Sequence, residues 1–375
     1  MNWRLGKSDI VKMNQKVSII TVCLNSVNTI EQTIKSVLNQ TYPNIEYIII
    51  DGKSVDGTIE VIKKYEGKIG RWISEPDAGL YDAMNKGIAM ASGDIIGIIN
   101  SDDWYAIQAV EKVVQVFEQG EADVVYGKLR RVHVDGQIAE AENGDLNDMP
   151  YRMTVPHPTA FVKKSVYSQY GLFNLQYELA ADYEFFLRIY LQKVKMKQVD
   201  CVLAYFREGG LSGRRAKTCA KELKEISLKY MDGTENDKME VLIEEYYRLN
   251  MERITFMQFQ KRLYNMDLAV AKKTLNRHLP RGKEIYVFGA GNVGIEVVGM
   301  LLEHDIVVKE IWDNKADKVG SKFGNVPICK PSKANSKEKI IIVAVMKFQD
   351  DICSQLEQLG YIKGSSYLLY SDLVL

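Results

Sequence analysis

The chain has 375 residues, of which 46% are hydrophobic and 26% are charged. This composition is typical of a soluble globular protein of two or three domains. Because 49 basic residues balance 49 acidic ones, no net charge attracts nucleic acid, and we expect no nucleic-acid partner.

The cysteines and the N-terminal segment indicate the cellular compartment. Five scattered cysteines include no Cys-x-x-Cys pair, which predicts neither a disulfide framework nor a zinc site and favours a reducing cytoplasm. The first residues lack the apolar segment of a signal peptide, and no apolar stretch approaches the roughly 20 residues that a spanning helix needs. We therefore expect a cytoplasmic protein, with any membrane contact peripheral and at the inner face.

The first part of the chain alternates between predicted strands and helices. The strands are KVSIITVCLN, IEYIIID, RWISE and DIIGIIN. The helices are predicted over 26–38, 57–65, 80–91 and 105–117. Such alternation, with strands that are apolar almost throughout, predicts an α/β fold with a mostly parallel sheet and helices on both faces.

The next segment predicts that the sheet becomes mixed. Asp135-Gly136 marks a hairpin inside ADVVYGKLRRVHVDGQIAE, and VPHPTAFV predicts a further strand. An amphipathic helix over 179–191 follows, and then the strand and glycine-rich loop of KQVDCVLAYFREGGLSG.

Composition changes twice in the second half of the chain. Residues 214–279 contain apolar residues at helical spacing with hardly a Gly or Pro, and from Gly282 the α/β alternation returns. We therefore predict a first domain over 1–213, a helical linker or hairpin over 214–279, and a small α/β domain over 280–375.

Several motifs in the first domain occur in an informative order. They are TVCLN, DGKSVDGT, the D-x-G-x-Y-D-A-M-N-K-G run from Asp77, NSDD and LAADYEFFLR. Over residues 16 to about 213 the chain thereby resembles the inverting nucleotide-sugar glycosyltransferases of family 2, which have the GT-A fold. The resemblance implies transfer of a sugar from a nucleotide diphosphate donor, UDP-linked by preference, to a hydroxyl of a glycan or polyprenyl-linked acceptor in surface polysaccharide biosynthesis.

A divalent cation would hold the departing diphosphate. Mn²⁺ or Mg²⁺ prefers carboxylate oxygens together with phosphates and waters, and Asp102 follows a strand where such a cation is needed. The family pattern is Asp-x-Asp, whereas this chain has Asn100-Ser101-Asp102, so Asn100 would contribute a neutral oxygen or a water contact. The adjacent Asp103 is a candidate residue of the same site. Its alternative role is to cap the helix predicted from Tyr105.

The resemblance also implies the donor pocket. Asp51, at a strand end, matches the acid that contacts the donor base, and Thr21 and Asn25, predicted to follow the first strand, would complete that pocket. Asp77 would reach the ribose or the diphosphate, and His157 would lie at the cleft rim near diphosphate or acceptor. The alternatives are turn formation for Asp51 and a structural role for His157.

The acceptor hydroxyl needs a general base, and the resemblance assigns that role to Asp182 at a helix start. Glu184 is the second candidate, because Ala181 stands where many relatives have a Glu. A carboxylate stabilised by the helix dipole would explain one acid without catalysis. Arg207 and the GGLSG loop would close over the donor, with a loop of no function as the equal alternative.

The C-terminal region contains GAGNVG between a predicted strand and helix, with Asp313 19 residues after Gly294. It resembles the small Rossmann-like domains appended to polysaccharide-biosynthesis proteins. We predict a second nucleotide or sugar-nucleotide site at Gly289, Gly291, Gly294 and Asp313. The alternative is that the glycines allow tight packing in a domain that forms a homo-oligomer. Two competing functions remain open: a nucleotide-dependent oxidoreductase or epimerase led by this domain, and an inactive binding scaffold.

Overall fold

The computed structural model describes residues 15–133, 136–140, 144–231, 237–264, 279, 282–303, 305–315, 317–332, 338–345 and 349–370. The chain divides into two compact units, Met1–Glu244 and Glu245–Leu375. The predicted boundaries near 213 and 279 stay predictions. No helix within the described ranges combines the length and apolarity needed to cross a membrane.

The first unit consists of strands and helices in alternation. Its strands are β1 Val17–Cys23, β2 Ile45–Asp51, β3 Arg71–Ser74, β4 Ile95–Asn100, β5 Trp104–Tyr105, β6 Val124–Val132, β7 Ile138–Glu140, β8 Phe161–Lys163 and β9 Met196–Arg207. Its helices are α1 Ile30–Leu38, α2 Thr58–Lys64, α3 Leu80–Met90, α4 Ala109–Phe117, α5 Lys164–Tyr170, α6 Ala181–Leu191, α7 Leu211–Arg214 and α8 Ala216–Met231. Short 3-10 helices span Glu66–Lys68, Leu146–Asp148 and His157–Thr159, and α9, Asp237–Tyr264, continues into the second unit.

These strands form one mixed sheet in the order β3-β2-β1-β4-β8-β6-β9-β5, with β7 beside β6. The strands β1 to β4 are mutually parallel, and β8 runs antiparallel to β4 and β6. In the register, Cys23 lies beside Asp51 and Asp51 beside Ser74, while Val22 lies beside Asn100. The loops after β1 to β4 therefore meet at one edge of the sheet, where open α/β sheets bind ligands.

Alternate residues of the strands face two separate cores. On β1, Ile20 and Val22 pack with α3, α5 and α6, whereas Val17 and Ile19 pack with α1, α2 and α4. This alternation follows from the two-residue period of a strand, and it buries apolar side chains on both faces. The predicted α/β class, a mostly parallel GT-A type sheet covered on both sides, is confirmed.

Two predicted elements are wrong in part. The helix predicted over 105–117 begins at Ala109, because Tyr105 is buried in β5 and pairs with Ala204 of β9. The strand predicted from VPHPTAFV begins at Phe161, after the 3-10 helix at His157, because Pro156 and Pro158 cannot donate to a strand ladder. The hairpin is confirmed by the antiparallel pairing of β6 with β7, although Asp135 itself lies outside the described residues.

The second unit is a smaller α/β sheet. Its elements are β10 Glu284–Phe288, α10 Asn292–Glu303, β11 Val308–Trp312, β12 Lys322–Phe323, β13 Val326–Cys329, β14 Lys339–Val343, α11 Gln349–Gln358 and β15 Tyr367–Leu369. The sheet order is β12-β13-β11-β10-β14-β15, and its pairs are parallel except for β12 with β13. The sequence therefore predicted correctly that α/β alternation returns here.

Candidate active site

Asp51 lies at the centre of the edge where β1 to β4 end. Its side chain is fully buried, and its carboxylate accepts hydrogen bonds from the Ser54 backbone N–H at 3.0 Å, the Ser54 hydroxyl and the Ser74 hydroxyl at 2.6 Å. These contacts join the loop after β2 to the end of β3. The structure thus gives Asp51 an anchoring role, and its contact with a donor base stays a prediction.

Thr21 and Asn25 were both predicted to follow the first strand, and only Asn25 does so. Thr21 lies inside β1 rather than after it, is fully buried, and its hydroxyl lies 3.0 Å from the Tyr47 hydroxyl, so this residue packs under the sheet edge. Asn25 is exposed in the loop, in the left-handed conformation with φ 50° that Asn tolerates. Its Oδ1 accepts from the Val55 N–H at 2.9 Å.

Asp77 lies in the loop after β3 and approaches the loop after β2. Its Oδ1 accepts from the Gly79 N–H at 3.0 Å. A Cβ on Gly52 would lie 2.4 Å from Asp77 Oδ2, so a glycine at that position is what allows the two loops to meet. The structure therefore brings Asp51 and Asp77 to the same end of the sheet, as expected for residues that end or follow adjacent parallel strands.

Asp102 follows β4 and is covered by the segment after β9. A Cβ on Gly210 would lie 3.3 Å from Asp102 Oδ2. Burial raises the pKa of Asp102, and the Arg207 and Arg214 guanidiniums oppose that rise. Two cations and a glycine turn thus lie beside this carboxylate, which is the arrangement expected where a diphosphate binds.

Asp103 anchors the same segment instead of capping a helix. It is fully buried, and its Oδ1 accepts from the Arg207 backbone N–H at 2.9 Å. Burial, and then the neighbouring Asp102, raise the pKa of Asp103 well above its usual range. The capping alternative is wrong, because α4 begins at Ala109 with Gln108 as its N-cap residue.

The oxygen donors of Asn100 and Asp102 fit, by their chemistry, a divalent cation that the substrate helps to hold. Asn100 Oδ1 is buried and has no hydrogen-bond partner among the described residues. In the same described ranges no cluster of three or more His, Cys, Asp or Glu forms a metal cage. Mg²⁺ sites commonly use one or two carboxylates and complete their coordination with substrate phosphates and waters. Asp102 with Asn100 is a donor set of that kind.

Asp182 is the second residue of α6 and has one fixed and one available carboxylate oxygen. Oδ1 accepts from the Tyr81 hydroxyl at 2.8 Å and from the Tyr183 N–H at 2.9 Å. Burial, and then the Asp182 charge, raise the pKa of Tyr81 well above its usual range, so its hydroxyl keeps the proton it donates. No described residue hydrogen-bonds to Asp182 Oδ2.

Glu184, the second candidate base, is used inside the fold. It is buried, and its oxygens accept from Arg188 Nε and Nη2 at 3.1 Å each and from the Tyr230 hydroxyl. A carboxylate paired in this way has little freedom to accept a substrate proton. Of the two acids, the geometry therefore favours Asp182.

His157 lies close to Asp182, the candidate general base. Its ring is buried, edge-on to Phe173 with 6.0 Å between ring centroids. Burial lowers the pKa of His157, and the Asp182 carboxylate opposes that change. The histidine is therefore an electrostatic neighbour of Asp182, and its predicted contact with the donor stays a prediction.

Tyr81 and Arg214 are two residues of the site that were not predicted from the sequence. Tyr81 is part of the motif that starts at Asp77, and its position at the start of α3 was the available signal. Arg214 carried no such signal, because only the turn at Gly210 brings α7 to Asp102.

In the second unit, packing explains two of the three glycines of GAGNVG. Gly289 has φ +118°, and a Cβ on Gly294 would lie 1.6 Å from the Gly289 carbonyl oxygen. A Cβ on Gly291 meets no described atom within 4 Å. Asp313 accepts from the Ala290 N–H at 2.7 Å and the Lys315 N–H at 2.8 Å. These contacts support the packing alternative, and a nucleotide site here stays a prediction.

Comparison with known proteins identifies the class of enzyme. The model of glycosyl transferase family 2 matches residues 18–190, which include Asp51, Asp102 and Asp182. An uncharacterized glycosyltransferase of Mycobacterium tuberculosis is 34% identical over 209 residues, which cover 53% of this chain and 78% of the relative. A PGL/p-HBAD biosynthesis glycosyltransferase of Mycobacterium bovis is 27% identical over 202 residues, with 52% and 78% covered.

The protein is thus a glycosyltransferase. The chain belongs to glycosyl transferase family 2, as its motifs predicted. Among solved structures, the mannosyltransferase of Pyrobaculum calidifontis in complex with GDP-Man and Mn²⁺ has a TM-score of 0.49 at 17% identity, covering 64% of this chain and 72% of that one.

Proposed function

We propose that this glycosyltransferase moves one sugar from a UDP-sugar to a hydroxyl of a glycan or polyprenyl-linked acceptor in surface polysaccharide biosynthesis, with inversion at the anomeric carbon. The observation that carries the proposal is the pair Asp102 and Asp182. Each carboxylate has oxygen that no other described residue uses; Asp102 closely follows the loop end of β4, and Asp182 is held by Tyr81 at the start of α3.

Asp102 would serve the leaving group. With Asn100 it would hold Mn²⁺ or Mg²⁺, and a bound cation would neutralise charge on the departing diphosphate. The Arg207 and Arg214 guanidiniums, which already act on Asp102, would bind the same phosphates. Asp51, Asp77 and Asn25 would support the nucleoside from the neighbouring loops.

Asp182 would act as the general base. Tyr81 holds Oδ1, so Oδ2 is the atom that would accept the proton of the acceptor hydroxyl as its oxygen attacks the anomeric carbon. Attack from the face opposite the diphosphate inverts the configuration. His157, kept uncharged by burial, would adjoin the acceptor.

The relatives support a biosynthetic transferase, since the Mycobacterium bovis protein is named for PGL/p-HBAD biosynthesis. An oxidoreductase or epimerase led by the second unit has less support, because the Asp313 carboxylate already accepts from two backbone amides. The cytoplasmic location, a peripheral membrane contact and a homo-oligomer formed through the second unit stay predictions.

The test is nucleotide release from a panel of donors. UDP-glucose, UDP-galactose, UDP-N-acetylglucosamine and GDP-mannose would each be incubated with the full chain in Mn²⁺, Mg²⁺ or EDTA, with and without polyprenyl-linked sugars. We expect release of UDP, faster with acceptor and cation. Preference for the GDP donor would contradict the UDP assignment, and no release with any donor would leave the inactive scaffold as the better explanation.

A further inference from the structure

The segment that precedes α6 is held by a carboxylate from a distant helix. Glu222 of α8 accepts from the backbone N–H groups of Glu178 at 3.2 Å, Leu179 at 2.8 Å and Ala180 at 3.0 Å. The N-cap residue of α6, Ala180, makes no side-chain capping hydrogen bond, and the three N–H groups that donate to Glu222 are those that directly precede the helix. A charged acceptor at a helix N-terminus is strongly favoured by both the hydrogen bonds and the helix dipole.

A second contact fixes the same segment to the start of α8. The Arg215 guanidinium pairs with Glu178, directly before Ala216 begins the helix. Arg214, the preceding residue, is an electrostatic neighbour of Asp102. The segment from Arg214 to Glu222 thus connects Asp102, where we propose that the diphosphate binds, with the start of α6.

Asp182 lies only two residues beyond Ala180. Its Oδ1 is fixed by Tyr81, and the direction of Oδ2 then depends on where the backbone of the first turn of α6 lies. We propose that Glu222 is a positioning residue for the general base: it holds residues 178–180 so that Asp182 Oδ2 faces the acceptor. This inference rests on the proposed role of Asp182.

Replacing Glu222 by Gln removes one hydrogen-bond acceptor but keeps the shape of the side chain. The two Glu222 oxygens together accept three N–H groups, whereas a carboxamide has one oxygen and one NH₂ that cannot accept. At least one backbone N–H would therefore face another donor, and the segment would move. A displacement of about 1 Å at a reacting group can cost on the order of 100-fold in rate.

The experiment compares Glu222→Gln with Glu225→Gln, a control on the exposed side of the same helix. Water replaces the acceptor, and UDP release is followed from the fastest of UDP-glucose, UDP-galactose and UDP-N-acetylglucosamine in Mn²⁺. For Glu222→Gln we expect kcat to fall by about 10- to 100-fold with the Kd for UDP within about 2-fold of wild type. Glu225→Gln should match wild type in both. An equal loss of UDP affinity and kcat would overturn the proposal, because that result indicates general damage.

A double variant separates positioning from unrelated effects. If Glu222 acts through Asp182, adding Glu222→Gln to Asp182→Asn should lower kcat no further. Full additivity would overturn the proposal. No effect of Asp182→Asn by itself would instead overturn the proposed general base.

A readout that needs no turnover completes the test. Amide hydrogen exchange in residues 178–182 should be faster in Glu222→Gln than in wild type or Glu225→Gln. Unchanged exchange there would overturn the proposal whatever the donor proves to be.

Discussion

At the residue scale, four aspartates of the site have different roles because their surroundings differ. Asp51 and Asp103 are fully buried and accept hydrogen bonds from the loops they anchor. Asp102 and Asp182 retain oxygen that the described chain does not use. Residue type and position at a strand end or helix start identified all four as candidates, but burial distinguishes the fully buried Asp51 and Asp103 from Asp102 and Asp182, which are only partly buried.

Asp182→Asn should lower kcat by about 10²- to 10⁴-fold, or about 3 to 5 kcal/mol, because an amide cannot accept the acceptor proton. Donor binding should change little. Steady-state kinetics of UDP release and calorimetry with UDP measure the two quantities. If Glu184→Gln shows this loss and Asp182→Asn does not, the base assignment is wrong; Glu184→Gln should instead lower thermal stability, because it breaks the pair with Arg188.

Asp102→Asn should abolish stimulation by Mn²⁺, because it removes the one carboxylate at the Asp-x-Asp position. We expect turnover at least about 100-fold lower and an unchanged melting temperature. UDP release in Mn²⁺ and in EDTA, with calorimetric titration of Mn²⁺ in the presence of UDP, provides the measurement. Asp200→Asn, whose side chain is 89% exposed, is the control. Equal activity of the wild type in EDTA and Mn²⁺ would exclude the metal role.

At the element scale, local pattern and tertiary pairing compete. The strands β1, β2 and β4 agree with their apolar runs because burial on both faces selects such residues. Tyr105 of the two-residue strand β5 was predicted as the first residue of a helix, since the pairing of β5 with β9 is about 100 residues distant in sequence and leaves no local pattern. Local periodicity is therefore reliable for long buried elements and fails for short ones stabilised by distant partners.

Glu46 at the start of β2 should make stability depend on acidic pH. Burial opposes its ionisation, but hydrogen bonds from Ser18, Ser92 and Lys16 outweigh burial and lower the pKa of Glu46 from 4.5 to about 2. A depressed pKa means that the stabilisation is complete above pH 4.5 and is lost as pH falls from there towards about 2.

We therefore expect Glu46→Gln to lower the free energy of unfolding by about 1 to 3 kcal/mol at pH 7, with a smaller difference at pH 3. Urea unfolding at both values measures this change, and Glu60→Gln on the exposed face of α2 is the control. A difference that does not shrink with pH would contradict the assigned cause.

The glycine turn of the second unit can be tested in the same way. Gly294→Ala should destabilise that unit by about 1 to 3 kcal/mol, because its Cβ would lie 1.6 Å from the Gly289 carbonyl oxygen. Gly291→Ala should be nearly neutral, since space is open there. Thermal unfolding measures both variants. Loss of UDP or NAD⁺ binding in folded Gly291→Ala would favour the nucleotide site over packing.

At the scale of the whole molecule, the described candidate residues for sugar transfer all lie in the first unit, which has its own cores on both faces of the sheet. A chain ending at Met231, the last residue of α8, should therefore retain UDP release within about 3-fold of the full chain, because it keeps both cores and Glu222. Kinetics and circular dichroism on both chains provide the check. A folded short chain with a loss above about 10-fold would show that the second unit contributes to turnover.

The sequence by itself determined the α/β class, the family and the positions of its strand-end acids, because apolar periodicity and motif order are local properties of the chain. Only the tertiary structure decided that Glu184 pairs with Arg188, that Asp103 anchors β9 and that Glu222 reaches residues 178–180. Those contacts join residues from different elements, or depend on which face of a helix is buried. Hydrogen-bond partners and desolvation are set by that arrangement, so the availability of each carboxylate is a property of the fold.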